Sequence, residues 1–264
     1  MVQVREVNTY MQNTIGIAIV CTNAYFILGI RFIKKFMYHY KGSADIIFYI
    51  FTDTDPSEYL VNIPYKYIHN EHKSWVDGTN SKFENIIKLY QENCDYLFYF
   101  DADTNITRPF DETWFIGDLV AGEHYNNRSY AIDIKNKPFE RNPKSKACVP
   151  LGSPRTQTYC YGAFFGGKKD NVINMCKTLK ENQIADKLIN FEPCWNDESY
   201  LNNYFHYHDV TIVPSDKFAF GVSDKGGIGD TRDMKLQTEK YKQILLTQPD
   251  KPFELHNKEI LFID

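Results

Sequence analysis

Ile15-Gly16-Ile17-Ala18-Ile19-Val20-Cys21, then Thr22-Asn23, then a long amphipathic stretch from Ala24 to about Tyr40, is the passage from which the fold is read. The short β-branched apolar run is a buried strand, Thr22-Asn23 is a potential helix cap, and the periodic stretch behind it is a helix. Ile46 to Phe51 repeats the buried-strand signal and stops at Thr52-Asp53, with Pro56 barring its continuation. Strand, helix and strand make a βαβ unit, expected to have parallel strands and a right-handed crossover. Outward from it, Tyr65 to His69 reads as a third strand and Tyr96 to Phe100 as a fourth. Between them Ser81 to Glu92 reads as a helix with Phe83, Ile86, Ile87 and Tyr90 on one face. This alternation predicts an α/β protein with a Rossmann-like sheet over its first half. Ligands of such sheets bind beyond the carboxyl ends of the strands, where Thr22, Asp53 and Asp101 fall.

From Glu112 the pattern loosens. Leu119 to Ala121 is strand-like, Asn126 to Pro154 is a polar loop, and Tyr159 to Gly167 is an aromatic, Gly-rich strand. Helices are expected from Asp170 to about Lys180 and from Asp197 to His206, a strand from Val210 to Val213, and a loop from Gly221 to Asp233. No internal repeat or linker interrupts the chain, and its 264 residues, 43% hydrophobic, suit one domain with a substantial core. A net charge of -4 provides no global basic field, which argues against nucleic acid as a partner and favours a small polar ligand. Cys21, Cys94, Cys148, Cys160, Cys176 and Cys194 lie far apart without a CxxC pair, so reduced, mostly buried thiols are expected. The first thirteen residues are polar, and no apolar run approaches the ~20 residues of a membrane span, so the chain reads as soluble and cytoplasmic. The sequons at Asn105 and Asn127 then count as chance matches, the first lying two residues beyond an acidic motif that a glycan would block.

Three motifs can carry chemistry. Tyr96-Leu97-Phe98-Tyr99-Phe100-Asp101-Ala102-Asp103 is an apolar strand ending in Asp-x-Asp. On an extended chain, alternation turns Asp101 and Asp103 to one side, where two carboxylates can share a divalent cation. Hard oxygen ligands suit Mn²⁺ or Mg²⁺ and leave open positions for a diphosphate; an ordinary acidic turn closing the strand is the competing reading. Cys160-Tyr161-Gly162-Ala163-Phe164-Phe165-Gly166-Gly167-Lys168-Lys169 nearly spells a phosphate-binding loop from Gly162 to Lys168. Lys169 stands where Ser or Thr should bind Mg²⁺ and the spacer is an aromatic strand, so that reading is rejected. Small residues between aromatics indicate instead a strand whose backbone a planar or pyranose ligand can approach. Trp195-Asn196-Asp197-Glu198-Ser199 sets two adjacent acids beside an aromatic at a helix start, which complementarity to the helix dipole explains by itself.

In this order the three motifs resemble glycosyltransferase family 6, which includes the ABO blood-group transferases and the α-1,3-galactosyltransferase, as a short bacterial- or phage-type member. Tyr49-Ile50-Phe51-Thr52-Asp53 is similar to the family's Tyr-Val-Phe-Thr-Asp. Phe139-Glu140-Arg141 and Ala147-Cys148-Val149-Pro150 resemble Tyr-Glu-Arg-Arg and Ala-Tyr-Ile-Pro, Gly162 to Gly167 resembles Gly-Gly-Phe-Phe-Gly-Gly, and Trp195 to Asn202 resembles Trp-His-Asp-Glu-Ser-x-Leu-Asn. The resemblance implies a GT-A-type fold, with residues 1–110 as a nucleotide-binding half and 111–264 as an acceptor and catalytic half of a single domain. It implies a retaining transfer of galactose or N-acetylgalactosamine from UDP-galactose or UDP-N-acetylgalactosamine to an oligosaccharide acceptor in α-1,3 linkage. By the same resemblance Asp101 and Asp103 hold Mn²⁺ and the UDP diphosphate, and Tyr25 faces the uracil. Lys82, where the family usually has Arg, lies near the donor sugar, and Lys251 reaches the β-phosphate. Tyr161, Gly162 and Ala163 line the donor's C2 region, with Ala163 leaning towards galactose. Asp197 binds the donor sugar, Glu198 is the catalytic carboxylate, and His124 and Trp195 face the acceptor. Asn196 departs from the motif's His, His124 lacks the usual following Pro-Gly, and the sequence beyond Pro214 aligns poorly. The residues alone leave two other classes open: a metal phosphohydrolase using Asp101, Asp103 and Asp197, and a non-catalytic module stacking sugars on Trp195, Trp75 and the tyrosines.

Overall fold

A computed structural model describes residues 13–71, 75–104, 106, 109–114, 116–124, 137–153 and 158–214. The expected loop at Gly221 to Asp233, much of the polar loop from Asn126, and Lys251 lie outside them. The strands are β1 (Thr14–Val20), β2 (Asp45–Thr52), β3 (Tyr65–His69), β4 (Tyr96–Asp101), β5 (Leu119–Glu123), β6 (Cys160–Lys168) and β7 (Thr211–Val213). The helices are α1 (Tyr25–His39), α2 (Trp75–Ile87), α3 (Lys169–Leu188) and α4 (Asn196–Tyr207). All seven strands join one sheet in the order β3-β2-β1-β4-β6-β5-β7. The first four are mutually parallel, as the βαβ reading requires, whereas β6 runs antiparallel to both β4 and β5. This is the mixed sheet flanked by helices of a GT-A-type fold.

The two faces follow from alternation along β1. Ile15, Ile17 and Ile19 pack with Phe26, Phe32 and Phe36 of α1, while Ala18 belongs to the opposite cluster, built with Phe83 of α2, Val172 and Leu179 of α3 and Leu201 of α4. Alternation sets Gly16 on that second face, where a Cβ would stand 2.7 Å from the Tyr49 ring.

Several local expectations are corrected. Neither Thr22 nor Asn23 caps α1: Ala24 is the N-cap and no side-chain cap forms. Asn23 instead takes φ 54°, and its N–H donates to both oxygens of Asp53 at 3.1 and 3.0 Å, tying the β1–α1 turn to the end of β2. Helix α2 begins earlier than expected and tightens into a 3-10 turn at Lys88–Gln91. That change of pitch buries Leu89 and leaves Tyr90 56% exposed, off the apolar face on which Phe83 and Ile86 lie. Helix α3 runs eight residues beyond the expected end at Lys180, to Leu188. The cysteines are free thiols, with Cys21, Cys94, Cys160 and Cys176 buried, Cys148 half-buried and Cys194 exposed. No helix among the described residues is long and apolar enough to cross a membrane.

The sheet's irregularity lies in β6. Ala121 pairs with Phe165 and Glu123 with Cys160, so residues 161–164 stand opposite the single Gly122. On its other edge β6 stays in register with β4 only as far as Phe100 and Phe164. Bulges of this kind release backbone groups from the ladder and recur beside active sites.

Candidate active site

A cavity of about 450 Å³ opens at the carboxyl ends of β1 and β4, lined by the β1–α1 turn, α2, the bulge of β6 and the start of α4. Its carboxylates are Asp101, Asp103, Asp197 and Glu198, and Lys82 is the lining ammonium.

Lys82, on α2 and 4% exposed, touches all three motifs. Its Nζ lies 2.6 Å from Asp197 Oδ2 and 3.3 Å from Asp101 Oδ1, and donates to the Gly162 carbonyl at 2.9 Å. It also sits over the Tyr99 ring, 4.6 Å from the centroid. Burial pulls the lysine's pKa down, but Asp101 and Asp197 outweigh it and hold the ammonium above its ordinary value. Burial pushes the Asp197 carboxyl up, against the pull of Lys82.

The Asp-x-Asp expectation needs one change. β4 ends at Asp101, and Asp103 sits in a turn closed by the Thr104 N–H donating to the Asp101 carbonyl at 3.0 Å. Strand alternation therefore does not align the two acids; the turn brings both into the cavity wall. Asp101 accepts a hydrogen bond from the Tyr99 hydroxyl at 2.8 Å. Burial, then the charge of Asp101, push the Asp103 carboxyl up to about 7.

Glu198 is held at both oxygens: Oε1 accepts from the Tyr159 hydroxyl at 2.6 Å, and Oε2 accepts from the Gly162 N–H at 2.7 Å. Burial pushes its carboxyl up to about 7, and the two donors pull it back. The bulge thus spends both backbone groups of Gly162 on the site, the N–H on Glu198 and the carbonyl on Lys82. A Cβ at Gly162 would stand 3.1 Å from Glu198 Cβ and 3.2 Å from Asp197 Oδ2, closer than a packed methyl sits.

Tyr25, at the first turn of α1, Gly162, Ala163 and Trp195 all line the same cavity, and Trp195 is 54% exposed. Tyr161 and His124 do not line it. Tyr161 is buried, and its ring lies 4.2 Å from that of His124, whose own pKa burial pulls down to about 4, so the imidazole is neutral near pH 7. The adjacent-acid motif is more than a dipole complement, since Asp197 and Glu198 at the start of α4 are both tied to groups from other elements.

Three supporting residues escaped sequence reasoning. Asn202 accepts from the Cys160 N–H at 2.8 Å and donates to the Cys160 and Glu198 carbonyls, each at 2.9 Å, pinning α4 to β6. Its i+4 spacing from Glu198 is the signal that would have placed both on one helix face. Glu140 accepts from the Cys194 N–H at 3.0 Å and fixes the approach to Trp195. Tyr159, placed at a strand end with no role, carries the bond to Glu198.

Comparison with known proteins accords with this geometry. The family model described as glycosyltransferase family 6 matches residues 4–244, and the chain belongs to that family. The histo-blood group ABO system transferase 1 of Rattus norvegicus is 26% identical over 223 residues, 80% of this chain and 62% of the rat protein. The globoside alpha-1,3-N-acetylgalactosaminyltransferase 1 of Mus musculus is 26% identical over 219 residues, 78% of this chain and 60% of the mouse protein. The O-antigen biosynthesis glycosyltransferase WbnI of Escherichia coli is 29% identical over 235 residues, 84% of this chain and 92% of its own length. The chain thus spans about three-fifths of the mammalian relatives and nearly all of the bacterial one.

Because Lys82 is the buried cation facing Asp197, its loss leaves a buried carboxylate uncompensated. Lys82→Met is expected to cost about 3–5 kcal/mol of folding stability, measured by urea denaturation at neutral pH. A loss below about 1 kcal/mol would mean that Asp197 is relieved by something other than Lys82.

Proposed function

We propose that this protein is a metal-dependent, retaining hexosyltransferase that moves galactose or N-acetylgalactosamine from a UDP-sugar to a glycan hydroxyl in α-1,3 linkage. The observation that carries the proposal is the convergence, around Lys82 and one cavity, of the Asp-x-Asp turn, the Gly162 bulge and the Asp197-Glu198 helix start. The mouse relative is by name an alpha-1,3-N-acetylgalactosaminyltransferase and the bacterial one a glycosyltransferase of O-antigen biosynthesis, which supports sugar transfer to a glycan in this linkage.

The donor set fits a divalent cation. Among the described residues no group of three or more His, Cys, Asp or Glu side chains forms a closed metal cage. Asp101 and Asp103 offer two carboxylates in one wall, which leaves coordination positions for ligand oxygens, and burial followed by the charge of Asp101 pushes the Asp103 carboxyl up, a push that a bound cation would offset. Four lining carboxylates against one ammonium would repel a diphosphate. Mn²⁺ or Mg²⁺ held by Asp101 and Asp103 supplies the missing positive charge.

The chain's own residues then divide the work. Tyr25, at the opening of α1, offers a ring to the nucleobase, and Asp197, held by Lys82, is an acceptor for donor-sugar hydroxyls. Glu198 presents a carboxylate to the anomeric carbon, where an oxocarbenium-like centre develops as UDP leaves, and can stabilise that centre or attack it. Trp195 gives the acceptor an exposed aromatic face at the cavity mouth. The phosphohydrolase reading fits less well, since it needs Asp197 on the metal while Lys82 occupies that carboxylate at 2.6 Å.

The defining test is UDP release from UDP-galactose and UDP-N-acetylgalactosamine across a glycan array. Excess EDTA is expected to abolish transfer and Mn²⁺ to restore it, and Asp101→Asn is expected to weaken UDP binding in Mn²⁺; full activity in EDTA would overturn the metal assignment. Glu198→Gln is expected to lower turnover by on the order of 100-fold or more with UDP affinity little changed, because its charge matters chiefly in the transition state. Ala163 lines the cavity, and its β-carbon removes volume that an acetamido group at C2 would need, a penalty of ~1–3 kcal/mol. The wild type is therefore expected to favour UDP-galactose by roughly 5- to 100-fold in kcat/KM, and Ala163→Gly to shift the preference towards UDP-N-acetylgalactosamine. A wild type that prefers the N-acetylated donor would remove the steric argument.

A further inference from the structure

The 139–149 segment lines no part of the cavity, yet it reaches Glu198 from two directions. On one side, Phe139 and Val149 form a small buried cluster with Tyr159, the Phe139 and Tyr159 rings meeting edge to face at 5.1 Å. A third ring, that of His124, stands 5.6 Å from Tyr159, and the Tyr159 carbonyl accepts from the His124 N–H at 2.9 Å. Tyr159 is 1% exposed, so its ring has no room to swing. On the other side, Glu140 holds the Cys194 N–H, four residues before Glu198. The Val149 N–H donates to the Glu140 carbonyl at 2.8 Å, which closes the segment on itself. Asn202 fixes Cys160, the residue after Tyr159, to the helix that carries Glu198.

We propose that Tyr159 is a positioning residue for Glu198, its hydroxyl holding the carboxylate's Oε1 in one orientation while the 139–149 segment clamps its ring. The proposal rests on the reading of Glu198 as the catalytic carboxylate. The Gly162 N–H fixes Oε2, but one donor leaves the carboxyl group free to rotate about that contact; the second donor, on the other oxygen, removes that freedom. The phenol is always a donor here, since burial and the charge of Glu198 keep its proton in place. A hydrogen bond to the charged form also lowers the carboxyl's pKa, so Tyr159 keeps Glu198 ionised further into the acid range than burial alone would allow. The other groups acting on Glu198 are Asp197 on its own helix, Lys82 from α2, and the Cys160 thiol, which burial keeps protonated. Of these, Lys82 is tied to Asp197 and Asp101, and Tyr159 is the side chain that touches Glu198 directly.

Tyr159→Phe tests this in the full chain, because it retains the ring that packs on Phe139 and removes only the hydroxyl. With UDP-galactose and Mn²⁺, kcat is expected to fall on the order of 10- to 100-fold while KM for the donor stays within about threefold. The acid limb of kcat/KM, which reports the free enzyme, is expected to move to higher pH, since losing the donor raises the carboxyl's pKa. 3-Fluorotyrosine at position 159, a more acidic phenol in the same packing, is expected to move that limb to lower pH, and it serves where the phenylalanine variant folds poorly. ¹³C NMR of glutamate-Cδ-labelled protein, with the Glu198 signal assigned by its loss in Glu198→Gln, is expected to show the same shifts without turnover. An unchanged kcat and an unmoved titration in Tyr159→Phe, with Glu198→Gln inactive, would overturn the positioning role alone. Near-normal turnover by Glu198→Gln would instead overturn the catalytic assignment on which it rests.

Discussion

One buried ammonium, that of Lys82, joins parts of the chain that are far apart in sequence. It bonds residues 80 and 115 positions away, Gly162 and Asp197, and pairs with Asp101 at the end of β4. A lysine at 4% exposure is unfavourable unless its charge is met, and here three oxygens meet it. The arrangement is mutual: without Lys82, Asp197 would be a bare buried carboxylate and Asp101 would face Asp103 with no cation between them. The lysine's ammonium carries three N–H donors and can meet all three oxygens where α2 brings it close.

That closeness depends on the backbone of β6. A regular strand would commit the Gly162 N–H and carbonyl to its neighbours in the ladder. Because residues 161–164 bulge opposite Gly122, both groups are free to turn towards Glu198 and Lys82. The absence of a side chain matters as much, since a methyl at 162 would press on Asp197 and Glu198 at once. The same strand supplies, two and three residues further on, the phenylalanines that build the core: Phe164 stacks on Phe98 at 6.0 Å and Phe165 on Tyr99 at 5.3 Å. Core and site are therefore one element read in different places.

Much of this was legible beforehand, for identifiable reasons. β1, β2 and β4 are interior parallel strands, buried on both faces, so their apolar runs and terminal polar residues mark them with boundaries within about one residue, while β3 stands at the sheet's edge, only partly buried, and is marked by its β-branched and aromatic residues. Asp101, Asp103, Asp197 and Glu198 were placed in the site because ordered motifs carry them. What was hidden depended on departures from regular geometry. A 3-10 turn changes which of Leu89 and Tyr90 is buried, and a turn rather than strand alternation brings Asp103 round. The bulge breaks alternation along β6, which is why Tyr161, expected against the donor, lies on His124 instead. Tyr159, Glu140 and Asn202 were hidden for another reason: they act on the site through other residues, and a buried Tyr or Asn has the same sequence appearance whatever it holds.

The site's electrostatics are unbalanced in a way that has chemical meaning. Glu112, elsewhere in the chain, shows how the fold treats a carboxylate meant only for structure: it accepts from Tyr40 and from the Ser43 N–H and hydroxyl, and those donors carry its pKa down to about 2. Asp103 and Glu198 receive the opposite treatment: half-buried in the cavity wall, with desolvation the largest cause, both carboxyls are pushed up to about 7. On the function proposed above, a cation at the Asp-x-Asp turn or a cationic centre developing above Glu198 would offset that desolvation. The contrast separates two acids lining the cavity from one that completes a loop, and strongly perturbed carboxyls in a cleft are where a functional site is expected.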